Sequence, residues 1–283
     1  MPELPEVETV RRGLASRLQS FVIHDVEVLR DRAVASPGGP QALRLGLQRQ
    51  KVGEWRRRGK YLMAQLHDPE TGNGNGIWGV HLRMTGQFQW HPTQTEPCRH
   101  TRVRLWNHQG HELRFVDMRS FGEMWFVPEN VPVDSVITGL QRLGPEPFSD
   151  SFNAAYLQQK LKGSNRSIKA ALLDQAVVAG AGNIYADESL FASGIAPHRK
   201  AGELNLSELE RLCTSLVHVL EISIGAGGTT FSDFRDLEGV NGNYGGQASV
   251  YRRTGQPCLV CGKPIERNRL GGRSTHWCSV CQS

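Results

Sequence analysis

No stretch of this 283-residue chain stays apolar for the roughly 20 residues that a membrane-spanning helix needs. The opening run, Met1-Pro2-Glu3-Leu4-Pro5-Glu6-Val7-Glu8, carries too much charge for the apolar centre of a secretory signal. Those two absences predict a cytoplasmic protein. No internal repeat is present. Cysteine is scarce until the end of the chain: there are six, and four fall in the last 26 residues. That clustering argues against a secreted disulfide framework and for a metal site. Cys98 and Cys213 lie outside any pattern and read as ordinary thiols.

What is present fits a folded protein of more than one domain. The hydrophobic fraction of 39% is ordinary, and the length favours two domains. A net charge of +5 and a pI near 9.0 permit a polyanionic partner without requiring one. After an amphipathic helix marked by Val7, Val10, Leu14 and Leu18, strand-like stretches crowd the first half. They are Phe21 to Val28, Val52 to Trp55, Tyr61 to Leu66, Ile77 to Leu82, Gly86 to Trp90, Thr101 to Trp106, Glu112 to Val116 and Glu123 to Val127. Turn signals at Gly72 to Gly76 and Asn107 to Gly110 separate them, and Ser36 to Pro40 reads as a loop. Strands at this density predict an antiparallel sandwich or barrel.

From about Val133 the pattern changes. Leu143 to Pro147 reads as a hinge, and helical segments follow at Phe152 to Leu161, Ser167 to Leu173, Ile184 to Ala192 and Leu206 to Ile222. Ser207 with Glu210 has capping-box spacing. Gly225 to Gly246 is glycine-rich and too polar for a core, so it reads as a functional loop.

Four places can carry chemistry. The most specific is Cys258-x-x-Cys261 with Cys278-x-x-Cys281, a spacing suited to one tetrahedral structural zinc. Such a site contributes about 10–16 kcal/mol of apparent folding energy in small fingers. Arg267, Arg269 and Arg273 lie between the pairs and either present cations to phosphate or form a solvated basic loop. The second is Val178 to Ala186, where Gly180 and Gly182 allow tight turning and Asn183 opens a helix whose N–H groups suit phosphate. A plain helix connection fits it as well. The third is scattered: Arg56 to Lys60, His81 to Thr85, His100, and Arg119 to Phe121. Taken singly these are surface cations or strand side chains, and Arg56 to Arg58 reads as solvated surface.

The fourth is the N-terminus. Pro5, Glu6 and Glu8 suit an ordinary first helical turn, with Pro5 as its first residue. A small second residue also favours loss of Met1, which would leave Pro2 with a free secondary amine. α-Amino groups titrate near 7.7–8.0 against about 10.4 for lysine, so more of this amine is unprotonated at neutral pH. Such an amine attacks electrophilic carbon and forms an iminium, and Glu3 and Glu6 stand ready for proton transfer.

Together these segments resemble one family along essentially the whole chain, the bacterial formamidopyrimidine-DNA glycosylases, also called 8-oxoguanine DNA glycosylase/AP lyases. The matching motifs are Pro2 to Val10, Gly59-Lys60-Tyr61-Leu62, His81-Leu-x-Met84-x-Gly86, Arg119-x-Phe121-Gly122, Gly180-x-Gly-Asn183-Ile-Tyr185, and the cysteine finger with Arg273. The resemblance implies an α+β protein: a β-sandwich domain with flanking helices over 1–132, a linker over 133–150, a helix–two-turn–helix domain over 151–249, and a zinc finger over 250–283. It implies that Pro2 attacks C1′ of a damaged nucleotide and that Glu3 protonates the opening sugar. Lys60 and Arg273 are linked to β- and δ-elimination. His100, Arg119 and Asn183 match DNA contacts, which His81 would join. Met84, Arg119 and Phe121 would fill the gap left by an extruded nucleotide.

The implied partner is double-stranded DNA carrying oxidised purines or abasic sites, met by a monomer associated with the nucleoid. One structural Zn2+ is implied, with no catalytic metal or organic cofactor. Residues 229–247 resemble a loop that caps the lesion. Thr230 to Phe234 fits that pattern, whereas Asn241 to Gly246 departs from it. Two rival readings share parts of the pattern. An endonuclease VIII-like glycosylase for oxidised pyrimidines would typically carry glycine at Leu4 and lack the long loop after Thr229. A non-catalytic zinc-ribbon DNA-binding protein would be expected to lose some of Pro2, Glu3, Lys60 and Arg273.

Overall fold

The computed structural model describes residues 1–229 and 235–283. They fall into two compact units, Met1–Gln141 with Gly227–Gly242, and Arg142–Ala226 with Asn243–Ser283. In the first unit the order is α1 (Leu4–Arg17), β1 (Asp25–Val28), α2 (Gly39–Leu47), β2 (Lys51–Arg58), β3 (Tyr61–His67), β4 (Gly74–His81), β5 (Gly86–His91), β6 (Thr101–Trp106), β7 (Glu112–Asp117), β8 (Glu123–Val127) and the single turn α3 (Val133–Val136).

The strands form two antiparallel sheets, β2-β3-β4-β8 and β1-β6-β7-β5. Alternation does what it should: in β6, Thr101, Val103 and Leu105 are buried while the residues between them are half-exposed. The inward rows of both sheets share one core, in which Trp78 of β4 meets Phe88 of β5 edge-on at 5.9 Å and Phe88 meets Phe115 of β7 at 5.4 Å. This is the expected sandwich. Helix α1 lays Val7, Val10 and Leu14 on that core, and Leu18 follows them.

Three sequence expectations need correction in this unit. Residues Gly39 and Pro40 are not loop but the first turn of α2, whose Leu43 and Leu47 are buried; proline is tolerated there because its missing N–H is unpaired in any helix. Helix α1 begins at Leu4, so Pro5 is its second residue. Arg57 is not solvated surface: its side chain is 10% exposed and pairs with Glu8 at 3.3 Å.

The second unit holds α4 (Ala154–Leu161), α5 (Ile168–Leu173), α6 (Asn183–Ser193), α7 (Leu206–Gly225) and the hairpin β9 (Glu266–Leu270) with β10 (Arg273–Trp277). Helix α7 starts two residues before the expected capping box. Asn205, not Ser207, is the cap: its side chain accepts from Glu208 N at 3.0 Å, and the Glu208 carboxylate accepts from Asn205 N at 2.8 Å. The glycine-rich stretch also reaches a core. Leu237 is buried against the sandwich, its carbonyl accepting from Trp90 N at 3.1 Å, and Tyr244 is buried beside Tyr185 in the second unit. Two apolar anchors in a polar sequence suffice to pin a loop. Among the described residues no helix is long and apolar enough to cross a membrane.

Trp78 is fully buried and touches both sheets, so Trp78→Ala should cost about 3–5 kcal/mol of stability. Urea unfolding of the purified variant measures it; a midpoint equal to that of the parent would show that the sheets do not depend on this residue.

Candidate active site and nucleic-acid interface

The N-terminal turn is held by a buried carboxylate. Glu6 is 1% exposed; one of its oxygens accepts from Glu3 N at 2.8 Å and the other from Thr229 N at 2.9 Å. Pro2 and Glu3 are buried immediately before α1. Thr229 follows Gly228, where any Cβ would press on Glu6 and on a strained backbone, φ +84°. Glycine is therefore required where the loop meets the helix start.

Lys60 occupies the two-residue turn between β2 and β3 after Gly59 and is also buried. Arg57 ties that turn to α1. Its guanidinium donates to the Gly59 carbonyl at 3.1 Å and to Glu8 at 3.3 Å. Burial works to raise the Glu8 carboxyl, but bonds from Arg11 and Arg12 and the charge of Arg57 outweigh it and hold the group below its usual range. Neither the Glu8–Arg57 tie nor the Glu6–Thr229 bond has a local sequence signature.

His81 ends β4 opposite Tyr61 and is 7% exposed, so it lies beneath the surface instead of on it. Burial first, then the charges of Arg83 and Lys60, lower its pKa to about 3. The ring is neutral, and its Nδ1 accepts from Arg83 N at 3.0 Å, which puts the proton on Nε2. Arg83 adopts φ 54°, and its side chain pairs with Glu123 at 2.5 Å, so the residue before Met84 is held at both backbone and side chain. Met84 is half-buried.

Arg119 and Phe121 are exposed, and the Arg119 guanidinium lies 4.8 Å from the Phe121 ring centroid. Phe121 has a second cation, Arg32, at 5.3 Å. His100 precedes β6; its carbonyl accepts from Asp117 N at 2.9 Å, and its Nε2 accepts from Arg99 at 2.9 Å. Sequence reasoning singled out His81, Met84, His100, Arg119 and Phe121, and missed Arg32, Arg99, Asp117 and Glu123.

In the second unit Asn183 opens α6, as expected, with Gly182 as its cap. Of the two glycines before it, only Gly180 takes the left-handed conformation, φ 88°. Asn183 donates to the Ser274 carbonyl at 3.0 Å, so the helix start and Arg273, one residue away, are brought together. A buried ion pair secures this. Lys169 and Asp187, both fully buried, lie 2.6 Å apart. Lys169 also donates to the Ser274 carbonyl at 2.7 Å, and Asp187 accepts from His276 N at 2.8 Å. Next to Asp187, Glu188 accepts from Ser249, Val250 and Tyr251 N at 2.7–2.9 Å. Burial raises its pKa despite those three bonds.

The four finger cysteines place their sulfurs within 4.8 Å of one another. The sulfurs of Cys258 and Cys281 are 3.8 Å apart and those of Cys261 and Cys278 are 3.4 Å apart. A tetrahedron with metal–sulfur bonds of about 2.3 Å has edges of about 3.8 Å, so the set fits zinc, and it is far too open for disulfides. Around it the core is only Val250, Cys258, Ile265 and Cys278, with Phe191 and Cys281 against it. Burial pushes the Cys213 thiol up to about 11, consistent with an unreactive group. Thr230 to Phe234, the part of the loop that fitted the capping pattern, lies outside the described residues.

A sandwich unit led by a proline–glutamate turn, and a helical unit ending in a four-cysteine zinc finger, define a two-unit α+β zinc-finger class. Residues 1–124 match the formamidopyrimidine-DNA glycosylase N-terminal domain, residues 143–235 the formamidopyrimidine-DNA glycosylase H2TH domain, and residues 255–283 a zinc finger found in FPG and IleRS. The chain belongs to the formamidopyrimidine-DNA glycosylase family. It is 64% identical over 290 residues to the formamidopyrimidine-DNA glycosylase of Prochlorococcus marinus strain MIT 9313, and 67% identical over 282 residues to that of Parasynechococcus marenigrum strain WH8102, with all of each chain covered. Among solved structures it is similar to a Lactococcus lactis FPG mutant in complex with Fapy-dG-containing DNA, at TM-score 0.90, 32% identity and 100% coverage of both chains. It is also similar to Lactococcus lactis Fpg with abasic-site DNA, at TM-score 0.89, 32% identity and 99% coverage of both. The finger carries one structural Zn2+, held by Cys258, Cys261, Cys278 and Cys281.

Two outcomes follow. Cys261→Ser should release the zinc and lower DNA affinity, read by metal content and by titration of labelled duplex; full zinc occupancy would contradict the ligand set. For His81, the unfolded imidazole binds a proton below about 6.5 and the folded one only near 3. Between those values the unfolded chain holds more protons, so stability declines as pH falls through that window. His81→Asn should flatten the decline, read as urea midpoints from pH 7 to pH 4; an unchanged slope would assign it to other groups.

Proposed function

We propose that the protein is a base-excision repair enzyme that removes oxidised purines, 8-oxoguanine and formamidopyrimidines, from duplex DNA and then cuts the strand at the resulting abasic site. Glycosylase activity is the property that names its family; the lyase step, the lesion class and the residue roles are our reading. The observation that carries it is the N-terminal turn, in which Pro2 and Glu3 are adjacent and buried and Glu6 ties Glu3 to Thr229 through their backbone N–H groups.

The chemistry begins once Met1 is removed, because until then the Pro2 nitrogen is an amide. The free amine attacks C1′ of the damaged nucleotide, the N-glycosidic bond breaks, and the base leaves with its electron pair and a proton. Glu3 delivers a proton to O4′ as the sugar ring opens, leaving an iminium between Pro2 and C1′. The iminium acidifies the C2′ proton. Its loss expels the 3′ phosphate, and a second elimination expels the 5′ phosphate, so no water is needed to cut the strand. The buried Lys60 suits a role beside the reacting sugar, and Arg273 with Asn183 suits the phosphate backbone, where contacts position the duplex without reading sequence.

Extruding the nucleotide costs a few kcal/mol. Met84 and Phe121 are the apolar side chains offered to the gap, and Arg119 is the donor that can meet the orphaned base. The reading places the enzyme in the bacterial cytoplasm, where the DNA is, acting as a monomer. Lactococcus lactis Fpg solved with Fapy-dG DNA supports the purine reading, and the same protein solved with oxidised-pyrimidine DNA makes cleavage of both lesion classes the comparison to run.

Borohydride trapping on a duplex with one 8-oxoguanine opposite cytosine tests the whole sequence of steps. The expected product is DNA joined to a peptide that starts at Pro2, read by mass. Glu3→Gln should slow base release roughly 10²–10⁴-fold while leaving binding intact. A stable complex with no adduct, from protein shown to lack Met1, would remove Pro2 from the nucleophile's role.

A further inference from the structure

Asp117 is a fully buried carboxylate at the end of β7, outside every motif that the chemistry uses. A carboxylate has about four lone-pair sites, and here each is met by a donor. One oxygen accepts from the Thr85 hydroxyl and, at 3.1 Å, from Arg119 N. The other accepts from Phe121 N at 2.8 Å and Gly122 N at 2.7 Å. The donors come from two separate loops, the one carrying Met84 and the one carrying Arg119 and Phe121. Thr85 closes the circuit, because its oxygen also accepts from Arg119 N at 3.0 Å.

The backbone explains why so strong an acceptor is needed. Ser120 sits at φ 54°, a conformation that a residue with a side chain rarely takes. Its two neighbours are the residues whose N–H groups Asp117 holds, so the carboxylate bends the chain through this turn. At Gly122 any Cβ would collide with the Phe115 ring and crowd the Asp117 oxygen, so the loop can approach the carboxylate only with glycine there. On the far side the Met84 loop has its own left-handed residue, Arg83, tied across to Glu123 at 2.5 Å. The two loops are thus joined twice, once through Asp117 and once through Glu123.

We infer that Asp117 is a positioning residue that makes the Met84 loop and the Arg119–Phe121 loop one preformed wedge, so that extrusion of the nucleotide and choice of the opposite base depend on it. This rests on the gap-filling reading of Met84, Arg119 and Phe121. A preformed insert loses little freedom on entering DNA, whereas loops that must first be ordered spend part of their contact energy on ordering. Asp117 never touches DNA in this arrangement. It acts through the backbone of Arg119 and Phe121 and the hydroxyl of Thr85.

The test uses the full-length protein with Met1 removed and two substrates. One is a duplex with 8-oxoguanine opposite cytosine or adenine, which requires extrusion. The other is a single-stranded oligonucleotide with an abasic site, which does not. Asp117→Asn keeps the volume but puts an NH2 where N–H donors converge. It should slow excision from the duplex by about tenfold or more and compress the cytosine-over-adenine preference, since small displacements of positioned groups are costly. Cleavage of the single strand should be unchanged. Equal losses on both substrates would mean that Asp117 supports only the fold, and no loss on the duplex would mean that the loops need no such tie; either result overturns the inference. If Asp117→Asn does not fold, Thr85→Val cuts only the link between the loops, and an unchanged duplex-to-single-strand ratio in that variant overturns it equally. Phe121→Ala and Arg119→Ala run alongside. If they leave duplex excision and opposite-base preference intact, it is the gap-filling reading that fails; if they alter both while Asp117→Asn does not, only the inference does.

Discussion

The carboxylate of Glu6 is the constraint on which the rest of the first unit's site depends. A charge buried this deeply is costly unless it is hydrogen-bonded, and Glu6 meets the cost with N–H groups from Glu3 and from Thr229, 223 residues away in the chain. The same bonds that satisfy the charge fix the geometry of the turn before α1. A nucleophile at a chain terminus would ordinarily be among the most mobile atoms of a protein. Here Pro2, the residue proposed to carry it, is followed directly by an anchored one.

The device recurs. Asp117 gathers three backbone N–H groups and a hydroxyl, Glu188 gathers three backbone N–H groups, and Asp187 holds His276 N while paired with Lys169. Each acid sits at the end of, or within, a regular element and holds backbone N–H groups that lie outside that element. Charge-assisted bonds are shorter and stronger than neutral ones, and a carboxylate can take several at once. Among the segments they hold are those to which the proposal gives a role: the N-terminal turn, the loops carrying Met84 and Arg119, and the run from Ser274 to His276 behind Arg273. Hydrophobic burial builds the sandwich, and buried acids aim what projects from it.

The finger solves a different problem. Its few buried side chains could not offset the entropy of ordering some thirty residues, so the metal supplies what the core lacks. Strand β9 is largely exposed and β10 is buried at Thr275 and His276 but exposed at its first residue, which leaves Arg267, Arg269 and Arg273 on the open side of the hairpin. Lys169 and Asn183 then secure the hairpin's second strand to the helices of the same unit through the Ser274 carbonyl.

Much of this was written in local pattern. Alternation in β6, the apolar spacing of α1, and the CxxC pairs each report a contact made within a few residues or across one turn, so they are legible one segment at a time. The sequence by itself therefore determined the sandwich, the helical second half, the zinc site and the residues with chemical potential. Tertiary structure decided what local pattern cannot carry. Helix α2 was hidden because its glycine and proline look like a loop until Leu43 and Leu47 find a core. His81 read as a surface cation or a strand side chain, and only the packing around the end of β4 makes it a buried neutral acceptor. Residues 227–242 follow α7 in sequence yet belong with the first unit, held by Leu237 in its core and by Glu6. Asp117 had no signal at all, because a backbone N–H is the same in every residue. Which N–H groups a buried acid will collect depends only on which segments the fold brings to it.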